Sequence, residues 1–71
     1  MKKTHNRRLE TDQDYAEAME RQMGIRVFSD GYMVSSGGII IQYDESVVVI
    51  QSGVGDLSYL ERKSCEFFGI R

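Results

Sequence analysis

The residues able to do chemistry are few and do not converge. His5 is the single imidazole and Cys65 the single thiol. They lie at opposite ends of the chain, so a Cys–His or Ser–His pair would need a base recruited from the N-terminal segment. Cys65 reads as a small core residue. Placed toward the end of a helix, its thiol would be raised in pKa by the helix dipole, opposite to what a nucleophile needs. One Cys and one His cannot build a zinc cluster, and one Cys cannot close a disulfide within the chain. The carboxylate pairs Asp12/Asp14 and Asp44/Glu45 read more simply as first-turn helix residues and a turn. Acid–base work on a substrate also needs a pocket, which 71 residues have little room to build. The loop Ser52-Gly53-Val54-Gly55-Asp56 lacks the spacing and the lysine of a P-loop, and Asp56 would repel an anion. The expectation is a protein without catalytic groups, cofactor or metal.

Binding is the alternative to catalysis, and charge constrains it. The net charge of −2 is unevenly spread: Lys2, Lys3, Arg7 and Arg8 stand in the first eight residues, and the remainder carries five basic and eleven acidic residues. Residues 1–10 therefore read as a basic flexible tail, and 11–71 as a single small domain. An acidic body does not favour wrapping on nucleic acid, whose affinity comes mostly from neutralised phosphates. The N-terminus lacks the apolar run of a signal peptide, and the longest aliphatic run, Val47 to Ile50, is far too short to span a membrane. A lone Cys suits a reducing compartment, so the expected location is cytoplasmic, with no membrane partner.

The elements that would position any binding surface are marked by caps and turns. Thr11 reads as an N-cap with Asp14 completing an approximate capping box. Tyr15, Ala16, Met19 and Met23 follow at helical spacing, Glu17 and Arg21 form an i,i+4 pair, and Gly24 ends the helix. Strands are expected over 25–29, 32–36, 39–43 and 46–51, rich in β-branched residues and joined at Asp30-Gly31, Gly37-Gly38 and Asp44-Glu45. Two-residue turns at all three sites pair Val27, Val34, Ile41 and Val48 on one apolar face, with Ile25, Tyr32, Ile39, Tyr43 and Ile50. The opposite face collects Arg26, Phe28, Met33, Ile40, Val47 and Val49. A second helix, capped at Asp56 or Ser58 with a Ser58-x-x-Glu61 box and stopped at Gly69, would carry Leu57, Leu60, Ser64, Phe67 and Phe68. The predicted fold is α+β: helix, four-stranded antiparallel β-meander, helix, in two layers.

From this layout the expected function is a small protein–protein interaction module, an inhibitor or adaptor that binds a larger protein and forms a homodimer through a strand edge or the apolar face. Its size and acidity suit a product of a phage or other mobile element. The candidate contact residues are Phe28, Met33, Ile40, Val47 and Val49 on the second sheet face, Tyr59, Arg62 and Lys63 on the last helix, and the acidic helix face of Asp14, Glu17 and Glu20. The alternative is a nucleic-acid-binding regulator that uses the basic tail with Tyr59, Arg62 and Lys63, an aromatic beside two cations.

Overall fold

The structure, a computed structural model, describes residues 6–70. It contains β1 (Asn6–Leu9), α1 (Asp12–Glu20), β2 (Gly24–Ser29), β3 (Tyr32–Tyr43), β4 (Val47–Gly53), β5 (Asp56–Glu61) and β6 (Glu66–Ile70). The strands form one antiparallel sheet in the order β1-β6-β2-β3-β4-β5. This overturns the helix–meander–helix layout: six strands and one short helix stand where four strands and two helices were expected. Lys2, Lys3 and His5 of the expected tail lie outside the described residues. Asn6 to Leu9, from the same segment, run as a strand along β6.

The first helix starts as its sequence dictates. Thr11 accepts from the Asp14 amide and Asp14 accepts from the Thr11 amide, a complete capping box. The helix ends at Arg21 in helical conformation, and Gln22, at φ +52°, takes the left-handed position expected of Gly24. Gly24 instead opens β2. The Asp30-Gly31 turn also forms, with φ +53° and +82° and Ser29 opposite Tyr32, the paired positive angles that a two-residue hairpin demands.

Gly37-Gly38 does not reverse the chain. A reversal of the type formed at Asp30-Gly31 needs positive φ at both centres, and of the pair only Gly37 has it, at φ +86°. β3 instead runs on for twelve residues, and its two halves serve different neighbours. Residues up to Gly38 pair with β2 and those from Ile39 pair with β4. Three residues of β3 have no partner opposite them: Val34, Gly37 and Ile41 are each skipped in the register. Each is a β-bulge, which bends its strand and shifts every side chain beyond it to the other face. The predicted set Val27, Val34, Ile41, Val48 is broken by this. Val27 and Val48 are fully buried, while Val34 and Ile41 are 51% and 43% exposed. Ile40, expected on the outer face, is buried in the core.

The predicted second helix is absent. Residues Asp56–Glu61 pair with β4, and Glu66–Ile70 lie between β1 and β2. Leu57, Leu60, Phe67 and Phe68 match a helical period, but both β2 and β4 would otherwise leave a row of backbone donors and acceptors without partners. Pairing satisfies them, and Ser64 and Cys65 close the intervening turn on the Glu61 carbonyl.

The core lies between α1 and one face of the bent sheet. Ile25, Val27, Ile40, Val48, Ile50 and Phe67 are fully buried there, with Leu9, Tyr15 and Ala18 closing the cluster. The helix thus covers the face of Val27 and Val48 and leaves the other face open. Gly38 sits where the bend brings β3 against β4: a Cβ there would collide with Ile50 Cγ2 and stand 2.9 Å from Ser52 Oγ. Gly38→Ala should lower stability by about 1–3 kcal/mol, read as a shifted urea midpoint at unchanged slope. An unshifted midpoint would show that the bend is not close-packed.

Candidate functional site

The strongest polar constellation is centred on Arg62, in the turn between β5 and β6. Its guanidinium Nη1 donates to the Asp44 carbonyl at 2.6 Å and to Asp12 Oδ1 at 2.8 Å. Its guanidinium carbon lies 4.4 Å from the centroid of the Tyr15 ring, a cation–π distance. Its backbone amide donates to the Ser46 carbonyl at 2.8 Å. Tyr15 in turn stacks edge-on to Phe67, tilts against Tyr43, and donates its hydroxyl to the Leu9 carbonyl at 3.2 Å. Burial raises the Tyr15 phenol above its ordinary pKa, so it stays a neutral donor. The Arg62 side chain is only 14% exposed. It is an internal clasp, not the free surface cation the sequence suggested, and it does not form a helical patch with Tyr59 and Lys63.

Lys63 is exposed beside a shallow polar depression of about 350 Å³ that Arg8, Glu10, Tyr15, Glu45, Arg62 and Cys65 also line. Two carboxylates and three cations face it. Cys65 is half-buried and free. Burial, then the charge of Glu61, raises its thiol pKa. The direction matches expectation but the cause differs, since no helix surrounds it. Among the described residues no group of three His, Cys, Asp or Glu side chains could hold a metal ion.

The acidic helix face is partly occupied. Asp14 accepts from the Glu10 and Thr11 amides and pairs with Arg7 at 2.8 Å. Those amides, then the Arg7 charge, hold its carboxyl below the usual range. Glu17 pairs with Arg7 and with Arg21, while Glu20 is exposed. Asp44 is held low in the same way, by the Val47 and Ser46 amides.

The open face of the sheet divides into two halves. On β3, β4 and β5, cross-strand rows Gln42–Val49–Tyr59 and Ile39–Gln51–Leu57 share the outer side. Val47, Val49 and Tyr59 line one shallow depression of about 220 Å³. Ile41, Leu57 and Tyr59 are 43%, 45% and 70% exposed, and Val54 at the adjoining turn is fully exposed. On β1, β6 and β2, Phe68 stands directly between Arg8 and Arg26 across three strands, with Phe28 edge-on to it at 5.7 Å. Met33, half-exposed, lies opposite Phe28 at the hairpin. Of the residues expected on this face, Phe28, Met33 and Val47 are there, Val49 points the same way but is buried, and Tyr59 joins them from a strand. Sequence reading missed Ile41, Leu57 and Phe68 as outer-face residues and read Arg8 only as part of a basic tail, because each placement depends on a bulge or on strands β1, β5 and β6.

Two outcomes check this description. Arg62→Ala should cost about 2 kcal/mol, from lost charge-assisted hydrogen bonds and the aromatic contact, with Arg62→Lys recovering only part; denaturant titration reads both, and equal stabilities would remove the clasp. The native Asp14 carboxyl ionises below its ordinary value of 3.8. Its contribution is therefore complete above that value and is lost as pH falls through the native one. Asp14→Asn should be less stable than the parent at neutral pH, and the two should converge in acid. No protein-family model, curated protein or solved structure matches the chain.

Proposed function

We propose that this chain is a small protein-binding module that works through the open outer face of β3, β4 and β5. The exposed group Ile41, Val54, Leu57 and Tyr59 carries the reading. Exposed apolar side chains grouped on one surface mark contact sites, and a Tyr among aliphatic neighbours is a common energetic anchor of interfaces. The face is shallow, which suits a protein surface better than a small molecule. A role as inhibitor or adaptor of a larger protein fits a domain of this size. The test is capture from a lysate by the full chain and by a Leu57→Asn/Tyr59→Asn variant, with circular dichroism confirming that both fold. The parent should retain a defined protein in high salt, and the variant should lose it by about tenfold or more. Equal retention by the two would refute the reading.

The Arg8–Phe68–Arg26 row favours a second reading, in which the β1–β6–β2 half binds single-stranded nucleic acid by stacking and phosphate contact. Arg8→Ser and Phe68→Ser should then each weaken binding of a labelled oligonucleotide, and affinity should fall steeply with salt. No mobility shift at low salt would end this alternative.

A further inference from the structure

We infer that the chain assembles head to tail with copies of itself, the β5 edge of one protomer pairing with the β1 edge of the next. This rests on the reading of the β5 side as a binding surface and names its occupant. Among the described residues β1 and β5 stand at the two ends of the sheet order, each paired along one side only. An open edge presents backbone donors and acceptors ready to add a strand.

Charge selects the pairing. Arg8 on β1 makes no ion pair among the described residues, and neither do Asp56 and Glu61 on β5. All three are exposed. The open edges are therefore of opposite sign. Joining two β1 edges brings Arg8 toward its own copy, and joining two β5 edges brings the carboxylates together. Like charges across a strand pair destabilise it, and opposite charges support it.

The side-chain pattern allows such a junction. Leu9 faces the core side of β1, and Arg8 the outer side; Ser58 and Leu60 face inward on β5, and Leu57, Tyr59 and Glu61 outward. An antiparallel register that keeps each face continuous sets Arg8 opposite Tyr59 of the next copy. Glu61 and Leu57 then stand one diagonal step to either side. A guanidinium there would meet an aromatic ring and a carboxylate together. Because the two surfaces differ, the contact is heterologous, and successive copies close into a ring or extend as a filament.

Light scattering coupled to size exclusion, over a wide concentration range, tests this with Arg8→Glu, Glu61→Arg and the double variant. The parent should exceed monomer mass. Each single variant should run as monomer, while the double variant should regain the parent mass and the equimolar mixture should rise above monomer mass, since alternating copies of the two single variants meet opposite charges. A parent that stays monomeric, single variants that assemble unchanged, or a mixture that stays at monomer mass would each overturn the inference. A monomeric parent that still captures a protein lost by Leu57→Asn/Tyr59→Asn would overturn it while leaving the proposed function standing.

Discussion

The contact of the Arg62 guanidinium with the Tyr15 ring joins the helix, the β3–β4 turn and the β5–β6 turn at one point. Asp12 at the helix start, the Asp44 carbonyl between β3 and β4, and the turn before β6 all meet at one cation. Tyr15 extends the junction to β1 through the Leu9 carbonyl and to the core through Phe67. A guanidinium suits this place because it is planar and always charged, so it can lie over a ring while its edge donates to oxygens. With one end of the sheet held in this way, α1 is pinned on the core face and the opposite face is left bare.

The bending of β3 is the second constraint. A 71-residue chain buries a limited fraction of its surface, and a flat six-stranded sheet under a nine-residue helix would leave much of its apolar face wet. The bulges at Val34, Gly37 and Ile41 let a single strand belong to both halves of the sheet. They close the core around Ile25, Ile40 and Ile50. They also place Val34 and Ile41, ordinary core residues by type, on the outside. The exposed apolar surface that supports a binding role is thus a product of the same curvature that completes the core.

The outer surface is correspondingly asymmetric. The half formed by β1, β6 and β2 carries Arg8 and Arg26 around Phe68, and the half ending in β5 carries Leu57 and Tyr59 between Asp56 and Glu61. Aliphatic and aromatic contact area, opposite charges and unpaired backbone are the ingredients from which edge-to-edge and face-to-face recognition is built. Burial raises the Cys65 thiol pKa, and the clasp engages the Arg62 guanidinium.

Much of the local structure was legible from residues alone. Thr11 and Asp14 determine where the helix begins, since their reciprocal hydrogen bonds involve only four consecutive residues. Asp30-Gly31 determines the first hairpin for a similar reason, the left-handed angles being cheap for those two types. Burial of Ile25, Val27, Val48 and Ile50, and the outward placing of Phe28 and Met33, followed from strand alternation. The tertiary structure decided the rest. A Gly-Gly pair suits a reversal or a bulge equally, and only the packing of Gly38 against Ile50 chooses between them. The stripe from Leu57 to Phe68 fits helix or strands, and the choice falls to β2 and β4, whose backbone groups need partners that only β5 and β6 supply. Such demands come from residues distant in the chain, and no local pattern of side chains records them.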